Sequence, residues 1–304
     1  AQKIKNIGVV GAGPAGVMAA IIAAKRGHKV ELIEKTDKIG GKLIPGGTPK
    51  IKFDVKNYRQ YLERQVDKAK ELDNFEFLPN TDVTSSWLKE RDFDAVIFAM
   101  GGNEIIPPFK NMDKVNVVEA TQILQNPNLL KDSKSAVVIG GGVVGCETAY
   151  WLRYEQGLDV TIVEMEKYFM NGVCTANRGH LIYYLEKEGV KLLNCTKVLG
   201  FEENGVKVIQ NISDTVPDPY LVWHPILPEN IENPLAPKIK KEEVEKIIEA
   251  DLFVMAIGNR PRNQLYYEVQ KEMIVPEVYN IGDSLNSGKV LEATRAANAL
   301  ARII

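Results

Sequence analysis

The chain has 304 residues, 45% hydrophobic and 26% charged, with 38 lysines and arginines against 40 aspartates and glutamates. This is ordinary globular composition, long enough for two cores, and the near-neutral balance supplies no basic field for nucleic acid or anionic lipid. No apolar run approaches the ~18 residues of a membrane span, no signal peptide is recognisable, and three scattered cysteines (Cys146, Cys174, Cys195) argue against a disulfide framework or metal site, so a cytoplasmic setting is expected.

In chain order, the apolar run Ile7-Gly8-Val9-Val10 predicts a buried strand. The glycine turn Gly11-Ala12-Gly13-Pro14-Ala15-Gly16 follows, then an alanine-rich helix over about residues 13–26 that stops at Gly27. A second apolar run, Val30-Glu31-Leu32-Ile33, ends in Glu34. Residues 39–49 read as a glycine- and proline-rich loop, and Tyr58, Tyr61, Leu62 and Val66 then recur at helical spacing. Residues 93–99 read as a buried strand, stopped by Gly101-Gly102 and Pro107-Pro108.

The same order then repeats. Ala136-Val137-Val138-Ile139 leads into Gly140-Gly141-Gly142-Val143-Val144-Gly145, and Val160-Thr161-Ile162-Val163 ends in Glu164. Residues 217–237 hold six prolines and little periodicity, as an irregular surface excursion would. Strand character returns at residues 251–256 and again at 278–283, and a helical run spans about 289–303.

The spacing of each glycine turn has a physical reason. The first glycine permits a tight strand-to-helix turn, the second lets backbone approach a diphosphate, and the third lets helix and strand pack closely. The helix N-terminus offers free N–H groups and a positive dipole to the phosphates. An acid about 20 residues on accepts from a ribose diol; Glu34 lies 18 residues after Gly16 and Glu164 lies 19 after Gly145. Two such units predict an α/β chain that holds two dinucleotides and passes electrons between them.

The order of motifs resembles the pyridine-nucleotide disulfide oxidoreductases. That resemblance implies two Rossmann-like domains in a three-layer β/β/α arrangement, the NAD(H) domain (residues 110–269) inserted into the FAD domain (residues 1–109 and 270–304). It places FAD on Gly11, Gly13, Pro14, Ala15, Gly16, Glu34, Lys35, Gly41 and Lys42, and NADH on Gly140, Gly142, Val143, Val144, Gly145, Glu164 and Met165. Gly282-Asp283 matches the element that returns the chain to the flavin, where Asp283 would accept from the ribityl chain. Ala256-Ile257-Gly258-Asn259-Arg260-Pro261 resembles the domain-junction motif, while Ala99-Met100-Gly101 departs from the usual Ala-Thr-Gly at its middle position. A helix beginning near Val290 would aim its N-terminus, with Leu291, Glu292 and Ala293, at the flavin end that gains negative charge on reduction.

One departure selects a branch of the family. Gly40-Gly41 is followed by Lys42-Leu43-Ile44 without a cysteine, and no Cys-x-x-Cys occurs anywhere, so a thiol–disulfide relay is absent. The stretches Arg26-Gly27-His28-Lys29-Val30, Gly40-Gly41-Lys42-Leu43 and residues 227–238 resemble instead the C-terminal half of 2-enoate and 2,4-dienoyl-CoA reductases. In that family a separate barrel carries FMN, a 4Fe–4S cluster and the substrate. The partners so implied are NADH and an FMN/iron–sulfur barrel, as a domain or a subunit; neither nucleic acid nor membrane is implied, and a homo-oligomer stays open. Two other readings stand beside it: a non-catalytic module holding ADP or FAD for structure, and a stand-alone electron-transfer subunit.

Glu164-Met165-Glu166 places two carboxylates where a 2′-phosphate would lie, which favours NADH over NADPH. Catalytic roles are assigned to Glu147, by resemblance near nicotinamide and flavin and paired with Lys42 or Lys50, and to Lys42, whose charge would stabilise reduced flavin. The bland alternatives are a charge–dipole contact for Glu147 and a solvated side chain for Lys42. The cysteines are expected as buried small residues, no histidine (His28, His180, His224) is given a catalytic role, and Tyr150, Trp151, Tyr154, Tyr183 and Tyr184 are expected in the core.

Overall fold

The computed structural model describes residues 1–223 and 238–304. Two compact units divide the chain, residues 1–103 with 259–304, and residues 104–258, so the second is an insertion into the first. The divisions fall earlier than positions 109/110 and 269/270, and packing explains both. Phe109 belongs to the second unit's core, edge-on to Phe201 at 6.1 Å between ring centroids. The helix Gln264–Lys271 buries Val269 among Val10, Val96 and Phe98 of the first unit.

The first unit is a five-stranded parallel sheet in the order Glu277–Asn280, Ala95–Phe98, Asn6–Val10, Lys29–Ile33, Phe75–Leu78. The two central strands, Asn6–Val10 and Ala95–Phe98, are near-continuous apolar runs because both of their faces are covered, whereas the flanking strands carry polar residues. On one face the helix Pro14–Lys25 lies against Val9 and Leu32; its alanines let the helix Val290–Ile303 approach through Ala293, Ala297 and Ala301. On the other face Leu88, Phe93, Val269 and Val275 close the core. That third layer is helical, from Ser85–Lys89 and Gln264–Lys271.

The second unit repeats the sheet: Val117–Glu119, Leu252–Met255, Ser135–Ile139, Asp159–Val163, Lys191–Leu193, all parallel. Here the three-layer β/β/α order holds, because an antiparallel sheet of Thr196–Glu202, Gly205–Asn211 and Glu243–Glu249 covers one face and buries Phe201, Val206 and Val208 against Val137 and Phe253. Among the described residues no helix is long and apolar enough to cross a membrane.

Several local expectations are corrected. The loop at 39–49 contains a helical turn, Leu43–Gly46, which buries Leu43 and Pro45. In the helix Phe53–Ala69 the buried stripe is Leu62, Val66 and Ala69, whereas Tyr61 stacks on Tyr58 at the surface. Tyr150 and Trp151 are core residues, but Tyr154 and Tyr183 are more than half exposed, because each continues the aromatic cluster around Tyr150 and Tyr184 outward to solvent. Cys146 is buried, Cys195 half-buried and Cys174 exposed, the last at the N-cap of the helix Thr175–Lys187. Residues 217–223 carry no helix or strand; the rest of the proline-rich stretch, with His224 and the 227–237 segment used for the resemblance, lies outside the described residues.

Candidate functional site

The first glycine turn sits at the C-terminal end of the strand Asn6–Val10. Gly11 has φ +106°, a left-handed conformation that favours glycine, and its N–H donates to the Ile33 carbonyl at 2.7 Å. A Cβ on Gly16 would collide with the Gly11 carbonyl and lie 3.3 Å from the Ala99 Cβ, so Gly16 is what brings the helix onto the strand. Gly13, by contrast, has nothing within 4 Å of a would-be Cβ. It is the N-cap of the helix Pro14–Lys25, whose first turn carries neither a side-chain cap nor an acid. Free N–H groups, an uncompensated positive helix end and an open cradle are what a diphosphate needs. The residues present fit the dinucleotide implied by the fold.

Distant segments converge on this turn. Gly40 N donates to Ala12 O at 2.8 Å, and a Cβ on Gly41 would stand 3.2 Å from the Gly13 Cα. A Cβ on Gly282 would lie 3.0 Å from the Ala15 Cβ, which puts Gly282-Asp283 beside the helix start. Glu34 accepts from Ala12 N at 2.8 Å and from Thr36 N at 3.1 Å, locking the second strand's end to the turn. Beside Glu34 a pocket is lined by Gly11, Lys35, Asp82, Met100 and Arg262. Lys42 donates to Asn259 Oδ1 at 2.6 Å. Asp283 accepts from Gly288 N at 3.1 Å. The Glu292 carboxylate accepts from Lys289 N at 2.9 Å and so caps its own helix, while Leu291 is exposed and Ala293 buried. Those cap contacts hold Glu292 below the usual carboxylate range.

The second turn reproduces the first. Gly140 has φ +110° and donates to Val163 O at 2.9 Å; a Cβ on Gly145 would collide with the Gly140 carbonyl and lie 3.3 Å from the Ala256 Cβ. Gly142 occupies the N-cap position of the helix Val143–Tyr150, with open space around it, no side-chain cap and no acid in the first turn. Glu164 accepts from Gly141 N at 2.5 Å and from Glu166 N at 2.8 Å. Met165 and Val144 are exposed, whereas Val143, Glu147 and Ile257 are half-buried. Cys146 lies buried behind the turn with Sγ 3.4 Å from Gly141 O, and burial pushes its thiol above the usual range, as suits a packed side chain.

Asn259, Arg262 and Asp82 join this constellation, and no local pattern singles out Asp82. Asn259 and Arg262 stand in or next to the junction motif, the one signal that could have marked them.

Two equivalent dinucleotide turns, one inserted into the domain that bears the other, define a two-Rossmann flavoprotein of the FAD/NAD kind. The chain belongs to the pyridine nucleotide-disulphide oxidoreductase family, which it matches over residues 5–299. It is 32% identical to the cinnamate reductase of Clostridium sporogenes, over 100% of this chain and 40% of that protein. It is also 32% identical to the NADH oxidase of Thermoanaerobacter brockii, over 95% of this chain and 39% of that protein. Among solved structures, 2-naphthoyl-CoA reductase superposes with a TM-score of 0.82 at 28% identity, covering 100% of this chain and 40% of that one. The chain thus spans about two fifths of the length of these relatives, and it fits the C-terminal FAD/NAD(H)-binding half of the enoate reductase group. Unlike the family's name, its cysteines are all free.

Proposed function

We propose that this chain is the electron-input part of an enoate reductase-like enzyme. The first unit holds FAD, the second holds NADH, and electrons leave for an FMN and iron–sulfur barrel on which an activated alkene is reduced. The observation that carries this is the duplicated, uncapped and open helix N-terminus at Gly13 and at Gly142, each backed by an acid on the neighbouring strand. Bound FAD would supply two-electron acceptance from a nicotinamide and one-electron release to a partner.

The chain's own residues bind and orient. Gly11, Gly13, Pro14, Ala15 and Gly16 cradle the FAD diphosphate, Glu34 and Lys35 face its adenosine ribose, and the backbone of Ala99, Met100 and Gly101 runs past the cofactor, Met100 lining the pocket beside Glu34. Asp283 orients the ribityl chain, and the helix Val290–Ile303 offers the N–H groups of Leu291, Glu292 and Ala293 to the pyrimidine end. Lys42, held by Asn259, keeps a positive charge at the loop that passes the flavin, and Glu147 is the carboxylate for the nicotinamide side. Gly140, Gly142, Val143, Val144 and Gly145 receive the NADH diphosphate, with Glu164, Met165, Ala256, Ile257 and Gly258 around its adenosine and ribose. Glu164 and Glu166 repel a 2′-phosphate, which makes NADH the donor in preference to NADPH.

The test is an absorption spectrum of the purified chain before and after anaerobic NADH. A flavin spectrum that bleaches with NADH, and more slowly with NADPH, is expected. A colourless protein that takes up no FAD, or a yellow one that NADH leaves unbleached, overturns the proposal.

A further inference from the structure

Arg178 stands on the helix Thr175–Lys187 of the second unit and is 2% exposed. Its Nε donates to the Phe169 carbonyl at 2.9 Å, yet Nη1 and Nη2 are buried and have no hydrogen-bond partner among the described residues. A buried charge without a counter-ion is strongly destabilising to a fold. Among the described residues no carboxylate acts on this guanidinium; burial pulls its pKa below the ordinary arginine value, opposed by the Cys146 thiol and the Tyr168 phenol.

Its position supplies the missing partner. Phe169, whose carbonyl Arg178 holds, presses its ring against Gly141, where a Cβ would collide with it. Met170, the next residue, donates to Gly141 O at 2.8 Å, and Cys146 Sγ reaches the same oxygen at 3.4 Å. The guanidinium therefore shares its neighbours with the middle glycine of the second fingerprint, next to the open cradle at Gly142. The Glu164 carboxylate is already engaged by Gly141 N and Glu166 N.

We propose that Arg178 is a buried positive charge whose counter-ion is the diphosphate of the nucleotide bound at the second fingerprint, a positioning residue acting through the Gly140–Gly142 turn. This rests on the reading of that turn as the NADH site. In a dry interior such an attraction survives without direct contact, because neither water nor salt screens it well. The ligand-free unit then carries an unanswered charge that nucleotide binding answers, so affinity and stability are coupled through one side chain.

The experiment uses the full chain in excess FAD, as wild type, Arg178→Met and Arg178→Lys. Calorimetry measures NADH, ADP and adenosine binding, and melting is followed with and without NADH. Arg178→Met is expected to weaken NADH and ADP about tenfold or more while leaving adenosine, which has no phosphate, unchanged. It should melt no lower than wild type without nucleotide but gain less from NADH. Arg178→Lys keeps the charge and should stay within about threefold of wild type for NADH. The inference is overturned if the Met variant keeps wild-type affinity, loses adenosine equally, or melts lower or fails to fold, since each makes Arg178 a structural side chain. If the wild-type chain binds no NADH, the reading of the second fingerprint falls first.

Discussion

In the first unit the glycine turn is closed from outside by Gly40, whose N–H reaches Ala12 O at 2.8 Å; in the second the same closure comes from Met170 reaching Gly141 O, also at 2.8 Å. Around that shared bond the two units part. Gly40-Gly41 leaves bare backbone beside Gly13, and Pro14 opens the helix. Phe169-Met170 instead lays an aromatic ring on Gly141 and buries Arg178 behind it. The turn itself is dictated by sterics that admit no alternative, whereas the segment closing it is free to vary. Two ligands sharing a diphosphate can be told apart only by what varies.

The largest effects should come from the invariant part. Gly16→Ala and Gly145→Ala each drive a Cβ into the carbonyl of their own unit's first glycine. Backbone cannot yield as a side chain does, so a loss of at least about 1–3 kcal/mol is expected. Gly16→Ala should yield protein without flavin; Gly145→Ala should keep flavin that NADH no longer bleaches. Equal loss of flavin in both would break the division of labour. Gly13→Ala and Gly142→Ala test the open cradles instead. Both glycines have ordinary φ near −70° and free space at Cβ. Ligand-free melting should shift by no more than the equivalent of about 0.5 kcal/mol, while affinity for FAD or NADH drops about tenfold or more. A variant that melts early but binds normally would mean that the cradle is structural.

Both turns are legible in the sequence because tight backbone geometry leaves a local trace: glycine at fixed intervals, alanine where helix meets strand, an acid at the next strand's end. The contacts that complete the sites leave none. Gly282 against Ala15, Lys42 on Asn259 and Met170 on Gly141 join segments far apart in the chain, and each pairing exists only once the sheet is assembled. Arg178, set between Asn177 and Gly179, reads as a surface residue; its burial depends on the loop through Phe169. Helical spacing likewise groups Tyr150 with Tyr154 and Tyr183 with Tyr184, but periodicity does not say where the cover ends, and Tyr154 and Tyr183 lie beyond it.

Glu34 and Glu164 offer a finer comparison, since each accepts from its own turn and from the residue two positions on. Glu164→Ala leaves two backbone N–H groups unanswered at a cost of about 1–3 kcal/mol and removes half of the acidic pair proposed to face the adenosine ribose. NADH affinity should fall and the preference over NADPH should narrow, as titration of both nucleotides would measure. Glu34→Ala should weaken FAD and leave the nicotinamide preference alone. An unchanged NADH-to-NADPH ratio in Glu164→Ala would remove that carboxylate from specificity.

The smallest difference lies at the far end of the fingerprint strands, where each unit uses an aspartate to pin the strand start. Asp94 accepts from Asn6 N at 2.8 Å, whereas Asp251 accepts from Lys134 N, Ser135 N and Ser135 Oγ at 2.8 to 2.9 Å. Those donors favour the charged form and hold Asp251 below the usual aspartate value. A depressed folded value contributes stability that is present above the unfolded value, about 3.9, and is lost as pH falls through the folded one. Asp251→Asn should therefore lower the melting temperature at pH 7 by a few degrees, with the gap to wild type closing as the pH drops below about 3.9. Asp94→Asn, which loses fewer charge-assisted contacts, should shift less. A gap for Asp251→Asn that persists undiminished into acid would mean that its side-chain shape, and not its charge, anchors the strand, and the two units would then be alike at this end as well.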